Sequence, residues 1–280
     1  MKKKTRRLNF SKMHGLKNDF MVVETLTQDF FLTKQIIKNF SNRYTGIGFD
    51  QLLIIEPPII KNTDFNYRIF NSNGIEVEQC GNGARCFAKF VYDKNFINKK
   101  KIIVSTKNRI LILKIKNKNI SVNIGSPEFQ PKKIPFLSNK KKNFYTIYMN
   151  SKKIFFGVVS VGNPHCVLFV KDINNVSVKK IGSFLENHSM FPEKINVGFV
   201  QILNKNEILL RVFERGVGET KACGSGACAA VIIGIKNNKL SHSVKVHLKG
   251  GNILIKFNAK KNNIYMIGTA KHIYDGYINY

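Results

Sequence analysis

Two stretches of the chain set a cysteine directly ahead of spaced glycines: QCGNGARCFAKF at residues 79–90 and KACGSGACAAVIIG at residues 221–234. In each an apolar run follows, which predicts a helix beginning around the glycines with Cys80 or Cys223 at its edge. The first N–H groups of a helix lack internal acceptors, and that end is positive. Glycine lets a ligand approach the backbone closely. Such an end holds a carboxylate or phosphate well. It also favours thiolate, drawing a cysteine from about 8.5 toward neutrality. An anion cradle and an acidified thiol are therefore expected together.

Other uses of these cysteines compete with that reading. Cys86, Cys166 and Cys228 read as small core hydrophobes. A zinc site from Cys80, Cys86, Cys223 and Cys228 would need looser spacing than the usual hairpin, with its second cysteines inside apolar helix. A phosphate-binding loop is excluded because neither copy carries the Lys-Ser/Thr that should follow the glycines. No metal is expected.

The two motifs belong to a longer repeat. RIFNSNGIEVEQCGNGA (68–84) and RVFERGVGETKACGSGA (211–227) agree at 7 of 17 positions without a gap. Arg68/Arg211, Phe70/Phe213, Glu76/Glu219 and Cys80/Cys223 are among the matches, all offset by 143 residues. The offset continues through IIVSTKNRILIL and VHLKGGNILIKF to Gly125 and Gly268. Upstream, with some slippage, GFDQLLII (48–55) answers GFVQILN (198–204), and the Asn of KNDFMVV answers that of GNPHCVLFV. A long period present twice indicates a duplicated domain rather than a solenoid. The proline-spaced segment GSPEFQPKKIPF marks the boundary. The expected halves are residues 1–125 with 270–280, and residues 126–269. HIYDGYINY, beyond the repeat, reads as one further strand.

β-branched and aromatic runs dominate both halves, with one helix read from LTKQIIKNF and its counterpart VSVKKIGSFLENH. The helix after Cys223 is apolar around its whole circumference and must be buried on all sides. Strands wrapped about it would do that. The expected fold is α+β: two similar halves, each a mixed or antiparallel barrel-like sheet around a central helix.

Duplication can bring two thiols at two helix ends to opposite faces of one ligand. That arrangement suits removing a proton from one side of a carbon and returning one on the other: racemisation or epimerisation beside a carboxylate. One cysteine would act as thiolate while the other is thiol, and no redox or carbonyl cofactor is needed.

Composition narrows the remaining classes. The chain has 280 residues and a formal charge of +29, but only eight of its 46 basic residues are Arg. The lysines are scattered among Asn and Ile, unlike the clustered arginines of base and phosphate readers. No nucleic-acid partner is expected. The longest nearly apolar run, Ala222 to Ile235, is far below the ~20 residues of a membrane helix. No apolar stretch follows the basic MKKKTRRL start, and five irregularly spaced cysteines do not form a disulfide framework. A soluble cytoplasmic protein with reduced thiols is expected.

Taken together, FSKMHGLKNDFMVV, GIGFDQLL, YRIFN, QCGNGARCFA, GNPHC, INVGF, ERGVGETKACGSGACAA and HIYDG closely resemble diaminopimelate epimerase. The likeness runs from Phe10 to the C-terminus. It implies a cofactor-independent enzyme interconverting LL- and meso-diaminopimelate, on the route to lysine and peptidoglycan, with the last strand returning to the first half and a homodimer contact at Tyr274. By the same resemblance Cys223 is the base toward the LL substrate and Cys80 the acid. Gly81, Asn82, Gly224 and Ser225 form the backbone cradle. Asn18, Gln51, Asn71, Asn163, Asn196 and Arg215 hold the substrate, and Glu214 with His165 tunes the thiols and the bound amino group. Racemisation of a smaller amino acid, as in proline racemases, and a basic nucleic-acid-binding scaffold are the alternative readings. Lys17 departs from the family, standing where glycine is usual. If that position needs positive φ, Lys17 is strained there.

Overall fold

The computed structural model describes residues 6–78 and 80–280; most of the MKKKTRRL start therefore lies outside the described residues. The chain divides into two units, residues 1–122 with 268–280 and residues 123–267.

In the first unit β1 (Arg7–Gly15) and β2 (Asn18–Glu24) form an antiparallel hairpin. Its two-residue turn, Leu16-Lys17, has φ of 57° and 65°. Positive φ at both central residues matches the twist of the flanking strands. Lys17 thus occupies the left-handed region, at a cost of about 1 kcal/mol or more. α1 (Lys34–Ser41) is capped by Thr33, whose Oγ1 accepts from the Ile36 amide at 3.1 Å. β3 (Gln51–Glu56) runs parallel to β2, and β4 (Phe65–Asn71) antiparallel to β3. The other edge of β4 is shared: short β5 (Glu76–Val77) pairs antiparallel at Ile69–Phe70, and β6 (Lys101–Ser105) pairs parallel at Phe65–Asn66. β7 (Ile110–Lys116) and β8 (Asn119–Gly125) continue antiparallel. At the opposite end β18 (Lys271–Asn279) pairs antiparallel with β1.

The second unit repeats this pairing scheme step for step. β9 (Tyr145–Met149) takes the place of β18 and pairs antiparallel with β10 (Lys152–Ser160). β11 (Pro164–Phe169) is antiparallel to β10, β12 (Asn196–Asn204) parallel to β11, and β13 (Glu207–Glu214) antiparallel to β12. β14 (Gly218–Thr220) and β15 (Ser243–Leu248) share the far edge of β13, antiparallel and parallel. β16 (Gly251–Asn258) and β17 (Asn263–Gly268) follow antiparallel. α3 (Val178–Glu186) answers α1.

Each unit has one helix that begins at its cysteine motif. α2 (Gly81–Asp93) touches β1, β2, β3, β7 and β18; α4 (Gly224–Lys236) touches β10, β11, β12, β13 and β16. Reaching strands from both ends of the pairing order means that each sheet wraps its helix. α4 is buried without a break from Gly226 to Gly234, as its all-round apolar sequence demands. This is the duplicated α+β architecture expected from the sequence, with four α-helices among the described residues.

Register corrects one part of the internal alignment. Gln51 pairs with Asn71 on β4. In the second unit the residue in that position is Asn196, which continues the β12–β13 register opposite Glu214. Gln51 therefore corresponds to Asn196 and not to Gln201, and Asn71 to Glu214. The slipped reading failed because both strands are apolar runs that a shift of a few residues hardly disturbs.

The matched Arg/Glu positions form the same ion pair in each unit. Arg68 grips Glu76 through Nε–Oε1 at 3.0 Å and Nη2–Oε2 at 2.9 Å. Arg211 grips Glu219 at 2.7 and 3.0 Å. These two-pronged bonds tie β5 to β4 and β14 to β13, fixing the segment that leads into each cysteine.

Candidate active site

Cys80 is the N-cap of α2, with extended backbone, and its Sγ accepts from the Gly83 amide at 3.3 Å. Asn18, the residue after the β1–β2 turn, brings its Oδ1 to 3.7 Å from that sulfur. The same oxygen accepts from Asn82 Nδ2 at 3.4 Å, while Asn18 Nδ2 donates to Asp50 at 2.9 Å. Behind the helix start lies Arg85, fully buried, whose Nη2 donates to Asn82 Oδ1 at 2.9 Å. Asp50 is held by Arg43, which also makes a two-pronged bond to Asp19, and Lys12 reaches Asp19 at 2.6 Å. Burial opposes ionisation of Asp19, but the hydrogen bonds and charges of Arg43 and Lys12 outweigh it and hold the carboxyl below its usual range. Beside this cluster, Gln51 Nε2 donates to Asn71 Oδ1 at 2.8 Å, and Gln51 Oε1 is buried with no hydrogen-bond partner.

Cys223 is the N-cap of α4, also with extended backbone. Its Sγ lies 3.5 Å from Ser225 Oγ. Burial first, and then the Glu214 carboxylate that accepts from it, push the Cys223 thiol well above its ordinary value; Ser225 and the Gly226 amide pull the other way. This corrects the expectation of an acidified thiol at this position. The helix end does favour thiolate, but a nearly dry site beside a carboxylate disfavours it more strongly. Thr220 Oγ1 donates to Glu214 and so fixes the carboxylate that faces the sulfur.

His165 on β11 is wholly buried, and desolvation, with the Arg215 charge second, lowers its pKa to about 3. It is therefore a neutral ring near pH 7. Its Nε2 lies 3.0 Å from Asn163 Oδ1, which assigns the proton to Nε2, and its buried Nδ1 has no hydrogen-bond partner. Asn196 is committed within the protein: Nδ2 donates to Pro164 O at 2.9 Å and Oδ1 accepts from the Arg215 amide at 3.1 Å. Arg215 sits on the turn between β13 and β14, exposed, with Nη1 on Glu193 O at 3.0 Å. That turn is pinned from α3 by Glu186, which accepts from the Gly216 amide at 2.6 Å.

The expected residues thus fall into groups by unit. Asn18, Cys80, Gly81 and Asn82 gather at the start of α2, with Gln51 and Asn71 paired on adjacent strands. Glu214, Cys223, Gly224 and Ser225 gather at the start of α4, with His165, Asn163, Asn196 and Arg215 along β11, β12 and the β13–β14 turn. Tyr274 lies on β18, half-exposed, its ring edge-to-face with Phe10 at 6.2 Å. Sequence reasoning missed Asp50, Arg43, Arg85, Thr220 and Glu186. The second glycine of each motif also has a packing role. A Cβ on Gly83 would lie 2.5 Å from the Tyr67 hydroxyl, and one on Gly226 would lie 3.0 Å from Val212 Cγ2. Among the described residues no group of three or more His, Cys, Asp and Glu could hold a metal ion, and no helix is long and apolar enough to cross a membrane.

Against known proteins, the family model described as diaminopimelate epimerase matches residues 10–130 and 157–273. Among solved structures the chain is similar to a hydroxyproline epimerase from Agrobacterium vitis, crystallised with trans-4-hydroxy-L-proline. The TM-score is 0.71 at 10% identity, covering 98% of this chain and 93% of that one. It is similar to a phenazine biosynthesis protein of the PhzF family from Bacillus anthracis, with TM-score 0.68, 14% identity and 98% and 99% coverage. It is also similar to a probable proline racemase from Agrobacterium radiobacter K84, with TM-score 0.71, 11% identity and 96% and 92% coverage. At these identities the structural likeness establishes the fold.

Proposed function

Since this chain belongs to the diaminopimelate epimerase family, a group of isomerases, we propose that it inverts the α-carbon of diaminopimelate, interconverting the LL and meso forms. The observation that carries this reading is that each unit places a cysteine at the N-cap of its central helix. Each helix start offers amide donors to an anion.

In the proposed reaction the substrate α-carboxylate takes backbone donors at Gly81, Asn82, Gly224 and Ser225, which stabilise the charge that develops as the α-proton leaves. From LL substrate, Cys223 removes that proton as thiolate and Cys80 delivers one from the opposite face; the reverse reaction exchanges the roles. Cys223 rests as a thiol, so it must first lose its proton, and Glu214 is the acceptor in hydrogen-bonded contact with it. The neutral His165 ring offers Nδ1 as an acceptor for the substrate ammonium. Arg215, charged and exposed, supplies a two-pronged grip for the distal carboxylate. That distal carboxylate separates diaminopimelate from proline-like substrates, which have no use for Arg215.

We further propose a homodimer through β18, whose Ile273, Tyr274 and Tyr277 are each about half exposed. The test is turnover of LL-diaminopimelate by Cys80→Ala and Cys223→Ala, each expected to lose at least about 10³-fold. Full turnover by both variants, or turnover of proline but not diaminopimelate by the native protein, would overturn the reading.

A further inference from the structure

We infer that Arg85 and Asp50 are positioning residues that fix the two ends of a directed hydrogen-bond chain and so hold the amide oxygen of Asn18 on the Cys80 thiol. The inference rests on the reading above only in naming Cys80 a proton donor.

The chain runs through atoms whose roles are set by chemistry. A guanidinium only donates and a carboxylate only accepts. Arg85 Nη2 donates to Asn82 Oδ1 at 2.9 Å, Asn82 Nδ2 to Asn18 Oδ1 at 3.4 Å, and Asn18 Nδ2 to Asp50 Oδ2 at 2.9 Å. With the two ends fixed, neither amide can turn over without facing donor to donor or acceptor to acceptor. The one remaining direction for Asn18 Oδ1 includes the Cys80 sulfur, 3.7 Å away.

Both ends are themselves held. Arg85 is fully buried, with Nε on Thr269 O at 3.2 Å and Nη1 on Gly81 O at 3.3 Å. A Cβ on Gly15 would come within 3.2 Å of its Nη2, so the β1–β2 hairpin is shaped around it. Burying a guanidinium costs several kcal/mol unless it is well bonded, and a neutral side chain could fill this space. Asp50 accepts from Arg43 Nη2 at 2.8 Å and from the Asp19 amide at 3.2 Å. Arg43 in turn is locked by Asp19, which Lys12 also holds. Tyr67 and Cys86 also interact electrostatically with Cys80, and neither belongs to the chain.

The consequence is chemical. A carbonyl oxygen on the sulfur accepts S–H but repels S⁻, whereas the Gly83 amide donates to the sulfur and favours S⁻. The chain therefore fixes an acceptor on the sulfur, so that a proton on Cys80 Sγ has a set direction. The second unit has no equivalent. By strand register Asp50 corresponds to Ile195, directly ahead of Asn196, and a buried aliphatic residue there cannot fix an amide.

The test reads Cys80 directly, without substrate. In a Cys223→Ser background, iodoacetamide alkylation of Cys80 is followed by peptide mass from pH 6 to 10 for the parent, Asp50→Asn and Asp50→Glu. Losing the carboxylate end of the chain frees Asn18 to move its Oδ1 off the sulfur, which removes an oxygen that opposes thiolate. Asp50→Asn should then alkylate about three- to tenfold faster at pH 7, with the gain gone by pH 10. Asp50→Glu should return toward the parent profile. If Asp50→Asn does not fold by circular dichroism, Asn18→Ala, which removes the amide oxygen itself, should give a gain of the same form. A parent-like profile in a folded variant, or a gain undiminished at pH 10, which marks mere loosening, would overturn the proposal. Failure of the native enzyme to turn over diaminopimelate would leave this readout intact, so the two readings fail separately.

Discussion

The sulfurs of Cys80 and Cys223 occupy the same place in two copies of one scaffold, yet they meet different chemistry. Each caps its unit's central helix, and each follows a segment tied down by an Arg–Glu pair. Among the partners of Cys80 is the amide of Asn18, whose orientation is fixed from outside, through Asn82, by Arg85 and Asp50. The partners of Cys223 include a carboxylate, that of Glu214. The residue that corresponds to Glu214 in the first unit is Asn71, which is bonded to Gln51. The two helix ends are equivalent, but the thiols are not: Cys223 lies beside a carboxylate that can accept its proton, and Cys80 beside the amide oxygen of Asn18.

Replacing the carboxylate is the strongest way to sharpen this contrast. Glu214→Gln removes the negative charge that raises Cys223. Its thiolate should then form at lower pH in an alkylation profile, with the Cys80 profile unmoved and turnover down about 10²-fold. A change at both thiols, or at neither, would break the comparison.

His165 offers a second contrast, because its counterpart by register is Phe20. The folded-state pKa of His165 is about 3, below the unfolded value of about 6.5. The unfolded chain therefore binds a proton that the folded one refuses. Stability from this residue is intact above about pH 6.5 and falls by about 1.4 kcal/mol per pH unit as acid is added toward pH 3. Urea denaturation at pH 7 and pH 5 should show this loss, and His165→Gln should reduce it. An unchanged pH dependence in the variant would remove His165 as its source.

A smaller effect compares the second glycines of the two motifs. Gly83→Ala meets a tyrosine hydroxyl at 2.5 Å, whereas Gly226→Ala meets a methyl at 3.0 Å. The first should cost about 2 kcal/mol and the second about 1 kcal/mol by urea midpoint. Equal or reversed costs would show that one of the helices shifts to make room.

Much of this was legible in the sequence because duplication prints the same signal twice. The two cysteines, the Arg–Glu pairs and the helix starts all recur at one offset. The all-round apolar run after Cys223 demanded an enclosing sheet, and each unit provides one. The unequal parts were hidden for the same reason. Asp50 and Arg43 answer nothing in the second half, and without a repeat they read as ordinary surface charges. Arg85, inside GNGARC, is fully buried where a charge is expected to be solvated. Nothing local marked Thr220 as the partner of Glu214. The acidified Cys223 was misjudged because helix polarity can be read from sequence, while burial and a carboxylate brought in from β13 cannot.

The most direct test of two unequal thiols acting on one carbon is brief turnover of LL-diaminopimelate in deuterium oxide, with substrate and product recovered at low conversion. The account predicts solvent deuterium at Cα of the meso product and almost none in the recovered LL form, since Cys223 holds the abstracted hydrogen while Cys80 delivers deuterium. Equal labelling of recovered substrate and product would mean that a single group both removes and returns the proton, contradicting the account.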